Sequence, residues 1–284
     1  MAKQQAANYE RLFQSAVPLY CPTEDNEGNL YAVSTNGEVY QVTEGQMNVK
    51  YSTGGQPTSL VFDTEGSAFI ADMGYQSILS ATSTDGKVEI SSVIKEYDGT
   101  PLNGPNSMVL SENNNMLFFT DSGPMGESTI DNPNGSVFVI DLAVNMLKPV
   151  IVNKLAHPCG VALSPTEKVL YVAETYKNRI LKTVIHSEGV YYTTVFYQFS
   201  GRFGPTSLAV DSSGNIYVAR FDFTDVSEEG IITILNSKGE VENNLSITGW
   251  SELTGLYFSK TQEDILYATE SSTNSLLKIL VGSS

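Results

Sequence analysis

One pattern recurs along almost the whole chain and constrains its fold more than any other feature. A turn that usually contains proline leads into an apolar strand, an acidic or serine turn follows, and a second apolar strand comes next. Four copies are clear, and they begin at residues 56–63, 104–111, 157–164 and 204–211. Two degraded copies at the chain ends are placed by Asp25 with Gly28 and by residues 266–270. Six copies of a four-strand unit predict a six-bladed β-propeller.

The predicted fold is all-β, with four antiparallel strands per blade and one domain over residues 1–284. An irregular β-sandwich is the alternative, but sandwiches do not repeat their sequence. Only residues 6–14 have a plausible helical pattern. The last copy ends with its third strand at residues 276–281. Closure of the ring therefore predicts that residues 9–17 supply the outer strand of the sixth blade.

The repeat also predicts where a ligand site would lie. In a propeller the first strand of each copy is innermost and starts at the funnel mouth, so the residue after each proline position is expected there. We call these six the mouth residues: Tyr20, Thr58, Asn106, Cys159, Thr206 and Thr254.

Two long loops, at residues 121–135 and 220–230, follow second strands and are expected to surround the mouth. They carry five candidate rim residues, which are Asp121, Glu127, Asp131, Asp222 and Asp225. Loops held by a rigid scaffold often determine specificity, and solvated acidic loops are the alternative. The second strands also end in acidic residues at equivalent positions of the repeat. We expect these side chains to form hydrogen bonds with the turn of the next blade rather than to take part in catalysis.

The composition excludes some partners. The chain has 16 Lys and Arg against 32 Asp and Glu, a net charge of −16. Such a charge argues against binding nucleic acid or an anionic membrane. The N-terminus lacks a signal-peptide pattern, and no segment approaches the roughly 18 apolar residues of a membrane helix, so we expect a soluble cytoplasmic protein.

The two cysteines are not expected to form a disulfide. Cys21 and Cys159 belong to copies that face each other across a six-fold ring, beyond disulfide reach. His157 lies two residues before Cys159. An imidazole-activated thiolate is one interpretation of that pair, and a small buried cysteine is the other.

Several copies resemble the senescence marker protein/gluconolactonase family and its strictosidine synthase-like relatives. Residues 158–165 with 170–175 carry the resemblance, as do residues 104–106 with 118–123. The fifth copy, with residues 215–219, is also similar to a general NHL-type repeat. The resemblance covers roughly residues 17–280 and implies a six-bladed propeller.

In the lactonase branch the resemblance implies one divalent cation, often calcium, at the funnel mouth. Its ligand positions are Tyr20, Asn106, Cys159 and Thr206, and only Asn106 keeps the residue type of the family. A hard cation prefers several oxygens, including carboxylates. We therefore expect no cofactor, with calcium at Asn106 as the alternative.

In the strictosidine synthase branch the resemblance implies a glutamate at the sixth mouth position. Thr254 stands there, and Glu252 lies two residues before it. The favoured function is a propeller that binds a protein partner or a small molecule at its mouth. The alternative is a divalent-cation-dependent lactone or ester hydrolase that uses Asn106 with acidic loop residues.

Overall fold

The computed structural model describes residues 3–43, 45–113, 115–186, 189–222 and 228–281. These residues form strands and no α-helix, in six sheets that each contain four antiparallel strands. The fold is a six-bladed β-propeller, as the repeat predicts. The chain divides into two compact units, a central unit of Thr23–Cys159 and a terminal unit of Met1–Pro22 with Gly160–Ser284. The assignment of the chain to one domain stays a prediction.

The central unit contains three sheets in chain order. The first sheet, which begins in the last residues before this unit, comprises β3 (Tyr20–Glu24), β4 (Leu30–Ser34), β5 (Glu38–Thr43) and β6 (Gln46–Ser52). The second comprises β7 (Pro57–Phe62), β8 (Ala68–Asp72), β9 (Ser77–Thr84) and β10 (Lys87–Ile94). A hairpin follows, formed by β11 (Glu96–Tyr97) and β12 (Thr100–Pro101). The third sheet comprises β13 (Pro105–Leu110), β14 (Met116–Asp121), β15 (Gly135–Asp141) and β16 (Met146–Leu155).

The terminal unit contains the other three sheets. The fourth comprises β17 (Pro158–Leu163), β18 (Val169–Glu174), β19 (Arg179–Ile185) and β20 (Tyr191–Gln198). The fifth contains β21 (Phe203–Val210), β22 (Ile216–Asp222), β23 (Glu229–Leu235) and β24 (Val241–Thr248). The sixth contains β25 (Leu253–Phe258), β26 (Ile265–Glu270) and β27 (Ser275–Leu280). The N-terminal strands β1 (Lys3–Ala6) and β2 (Asn8–Gln14) join the fifth and sixth sheets.

The core of each unit lies between its sheets. The second strand of each sheet is a nearly continuous apolar run, and in β14 and β18 the residues from Leu117 to Phe119 and from Leu170 to Ala173 are buried. Such runs are typical of strands covered on both faces. The outer strand β20 is mostly exposed, and its exposed and half-buried residues do not alternate regularly.

A repeated aspartate turn joins the first and second strands. Asp63 Oδ1 accepts hydrogen bonds from the backbone N–H groups of Glu65 and Ser67, at 2.9 and 2.8 Å. Gly66 has a φ of 85°, a backbone conformation that residues other than glycine rarely adopt. The turn therefore explains why aspartate and glycine recur three residues apart in the sequence.

The N-terminal segment is β rather than helical. Strand β2 pairs antiparallel with β27, with Asn8 opposite Leu280 and Gln14 opposite Ser275. The predicted closure of the sixth blade is confirmed, and the helix over residues 6–14 is wrong. The edge of β27, near the other end of the chain, supplies hydrogen-bond partners for the backbone of this segment. This tertiary pairing overrides the local helical pattern of residues 6–14. Strand β1 adds parallel to β24 as an unpredicted fifth strand. Among the described residues, no helix has the length and hydrophobicity to span a bilayer.

Candidate functional site

In the central unit, the mouth residues Thr58 and Asn106 lie at the starts of neighbouring sheets. The side chain of Thr58 is hydrogen-bonded to the backbone directly before Asn106. Thr58 Oγ1 donates a hydrogen bond to the carbonyl oxygen of Pro105 at 3.0 Å, directly before Asn106. A different bond reaches the start of β17, because Thr120 Oγ1 on β14 donates to the carbonyl oxygen of the buried Cys159 at 2.7 Å. The structure thus places Thr58, Asn106 and Cys159 at consecutive sheet starts, as the repeat predicts.

The terminal unit repeats this link twice. Thr206 Oγ1 donates to the carbonyl oxygen of Leu253 at 2.9 Å, directly before Thr254. Thr254 Oγ1 donates to the carbonyl oxygen of Leu19 at 2.7 Å, directly before Tyr20. Threonine therefore recurs at the mouth for a structural reason, since its hydroxyl joins one sheet to the backbone of the next.

In the terminal unit, Tyr20 lies within the electrostatic influence of Glu252. Burial raises the pKa of the Tyr20 phenol, and the charge of Glu252 raises it further, so the phenol stays a proton donor at neutral pH. Glu252 Oε2 accepts a hydrogen bond from Ser271 Oγ at 2.7 Å, and the Glu252 N–H donates to Glu270 at 3.0 Å. A carboxylate oriented by Ser271 therefore acts electrostatically on a protonated phenol.

Three acids at the ends of second strands, Asp72, Asp121 and Glu270, hold the turns that enter their own sheets. Asp121 accepts hydrogen bonds from the N–H groups of Asn103 at 2.9 Å and Gly104 at 2.7 Å. Asp72 likewise accepts from the N–H of Gln56 at 2.8 Å. The expectation that they hold the next blade's turn is wrong, because antiparallel pairing brings the end of β14 beside the start of β13. Burial raises the pKa of Asp121 to about 6, against these two backbone hydrogen bonds, which lower it.

The five candidate rim residues occupy different environments. Asp121 is buried, and so is Asp222, which forms an ion pair with Arg202 at 2.6 Å. Glu127 and Asp131 are exposed on the loop that follows β14. Asp225 lies outside the described residues. Glu127 and Asp131 are therefore the two rim candidates that the structure leaves at the surface.

Sequence reasoning missed three exposed apolar side chains in the central unit. Tyr75 follows β8, while Met125 and Ile130 lie on the loop after β14, and the three are 53 %, 60 % and 60 % exposed. Both loops leave the second strands of neighbouring sheets. Large apolar residues in loops otherwise rich in Gly, Ser and Asp were the signal that could have revealed them.

Burial makes His157 a poor activator of Cys159. Desolvation lowers the pKa of the His157 imidazole to about 4, so the ring is neutral at pH 7. A neutral ring lacks the positive charge that would stabilise a thiolate. Cys21 and Cys159 are not joined by a disulfide bond, which confirms that prediction.

The donors at the implied cation positions do not fit calcium. Tyr20 supplies a protonated phenol, Cys159 a soft thiol and Thr206 a neutral hydroxyl. Asn106 supplies an amide, whose Nδ2 donates to Ser122 Oγ at 3.1 Å. Over the part of the chain that the structure describes, no three His, Cys, Asp or Glu side chains are grouped to hold an ion. Calcium prefers six to eight oxygens with carboxylates among them, so this donor set disagrees with the family's cation.

Comparison with known families decides the assignment. The sequence profile of the SMP-30/gluconolactonase/LRE-like region matches residues 20–273. The chain belongs to the SMP-30/gluconolactonase/LRE-like family. It is 27 % identical over 240 residues to the lactonase drp35 of Staphylococcus aureus, which covers 80 % of this chain and 69 % of that protein. It is 34 % identical over 140 residues to the lactonase drp35 of Staphylococcus haemolyticus, but this match spans only 40 % of that relative and 48 % of this chain.

Solved structures of other proteins share the fold. A gluconolactonase from Xanthomonas campestris superposes with a TM-score of 0.79 at 20 % identity, over 98 % of this chain and 91 % of that one. Regucalcin from Agrobacterium tumefaciens, a calcium-binding protein, superposes with a TM-score of 0.82 at 15 % identity, over 100 % and 98 %. The resemblance inferred from the repeat is therefore confirmed at the level of family and fold.

Proposed function

We propose that the chain is a hydrolase that opens lactones or cleaves related esters. One observation carries this proposal, the electrostatic effect of the oriented Glu252 carboxylate on the protonated phenol of Tyr20. Family membership and relatives named as lactonases support the same reaction class. Together they favour hydrolysis over the binding scaffold that the missing cation ligands first indicated.

The two side chains suit the two demands of ester hydrolysis. Glu252 takes a proton from water, and the resulting hydroxide attacks the carbonyl carbon of the substrate. Tyr20 donates a hydrogen bond to the oxygen that becomes negative. When the carbon–oxygen bond breaks, Glu252 returns the proton to the leaving alkoxide, which yields an alcohol and a carboxylic acid. Ser271 holds the carboxylate in place.

The charge of the protein restricts the substrate. A net charge of −16 disfavours the approach of anions. Neutral lactones and esters approach such a surface without this penalty, and the anionic hydroxy acid produced by ring opening is repelled. We therefore propose an uncharged substrate.

A second candidate is a binding protein without turnover. The departure of Tyr20, Cys159 and Thr206 from the family's ligand types favours it, as do the exposed apolar side chains of Tyr75 and Met125. Its ligand would be a small molecule or a protein partner with an apolar surface.

A substrate panel separates these candidates. Purified protein is incubated with neutral aliphatic lactones, aromatic lactones and aryl esters, and acid release is followed by pH-stat titration. Turnover of any class supports the hydrolase. No turnover of any class, with calorimetric binding of the same compounds, overturns the hydrolase and supports the binding protein.

A further inference from the structure

A cavity of about 220 Å³ lies in the central unit, between the third sheet and the hairpin of β11 and β12. Its walls come from β14, β15, β16 and the segment around the hairpin. None of the six mouth residues is among the residues that line it. The cavity is therefore distinct from the site of the proposed hydrolysis.

Two aromatic rings form one side of the cavity. Tyr97 and Phe138 lie with ring centroids 5.1 Å apart, and both line the space together with the aliphatic side chains of Leu102 and Val152. Aromatic faces attract cations, and aliphatic walls favour a carbon-rich ligand body. This side of the cavity suits an apolar group that carries a positive charge.

The charged groups of the cavity have one sign. Asp98 and Asp121 line it, and no Lys, Arg or His does. The Asp121 carboxylate is buried, and this burial raises its pKa to about 6. A cation in the cavity would offset that cost, because a nearby opposite charge favours the ionised form of the carboxylate.

We propose that this cavity binds a small organic ammonium ion with an aliphatic or aromatic body. The ammonium group pairs with Asp121, and the body packs between Tyr97, Phe138 and Val152. A bare metal ion does not suit the site, because carbon makes up much of the wall. An anion does not suit it, because both charged wall residues are acidic.

Calorimetry with two matched probes tests the proposal. Phenethylammonium and 2-phenylethanol have nearly the same shape and differ in charge. At pH 8 we expect the ammonium ion to bind and the alcohol to bind at least tenfold more weakly. At pH 5 protonation of a carboxyl with a pKa of about 6 should weaken ammonium binding by roughly tenfold. Equal binding of the two probes, or no binding of the ammonium ion, overturns the proposal.

Two variants test the cavity itself. Asp121→Asn should remove ammonium binding, and Asp72→Asn is its matched control, because Asp72 holds the equivalent turn of the second sheet and does not line the cavity. Val152→Trp should block binding by filling the space while Asp121 is kept. Binding that survives both Asp121→Asn and Val152→Trp overturns the assignment. This readout is independent of lactone turnover.

Discussion

The Thr254 hydroxyl donates a hydrogen bond to the carbonyl oxygen of Leu19, 2.7 Å away and 235 residues distant in sequence. This bond ties the sixth sheet to the backbone just before Tyr20. It brings the end of the repeat array to its beginning and places Tyr20 within the electrostatic reach of Glu252. The hydrogen bond of Thr254 and the proposed chemistry of Tyr20 therefore lie at the same junction, between the start of the sixth sheet and the residues that lead into the first.

Loss of this hydrogen bond should destabilise the protein. Thr254→Val keeps the shape of the side chain and leaves the Leu19 carbonyl without its donor, which should cost about 1–2 kcal/mol of unfolding free energy. Thr194→Val, on the exposed strand β20, is the control and should change stability little. Urea denaturation measures both, and equal stabilities of the two variants would show that the Thr254 bond contributes nothing.

The N-terminal strands should be essential for stability. Deletion of residues 1–14 removes β1 and β2, exposes the edge of β27 and removes the contact between Tyr9 and Trp250, whose ring centroids are 4.7 Å apart. We expect the melting temperature to fall by about 10 °C, the shift that about 3 kcal/mol produces in a chain of this size. Deletion of residues 1–6 removes β1 alone and should have a smaller effect. An unchanged melting temperature after the longer deletion would contradict the observed pairing.

His157 should make stability depend on pH. Its folded pKa of about 4 lies below the ordinary value of 6.5, so the unfolded chain binds the proton more readily. Stability is then lost as the pH falls from 6.5 towards 4, by about 1–2 kcal/mol between pH 7 and pH 5. His157→Gln should flatten this dependence, whereas the same change at the exposed His186 should not. Parallel profiles for wild type and His157→Gln would be inconsistent with a neutral buried imidazole.

The repeat made much of this structure predictable. Thr58 and Thr206 were placed at equivalent positions by spacing alone, and the structure shows that they make equivalent hydrogen bonds. The β pairing of the N-terminus was obscured by a local helical pattern, because its partner β27 lies at the other end of the chain. The hydrogen bond between Ser271 and Glu252 was not predictable, because no residue type that recurs in the repeat marks either side chain.

Tyr20 should matter for turnover more than for stability. Tyr20→Phe removes the proposed donor to the oxyanion and keeps the ring, so kcat should fall by about 10²-fold with a smaller change in KM. The melting temperature should stay close to that of the wild type. A kcat that equals the wild-type value would exclude Tyr20 from the reaction.

The most direct test measures lactone hydrolysis in excess chelator, with wild type, Glu252→Gln and the exposed control Glu263→Gln. The proposed chemistry predicts that wild type and Glu263→Gln keep their turnover in chelator. Glu252→Gln should lose at least about 10²-fold in kcat, the usual contribution of a general base. Turnover that disappears in chelator, returns with calcium and is unchanged in Glu252→Gln would contradict a centre formed by Tyr20 and Glu252.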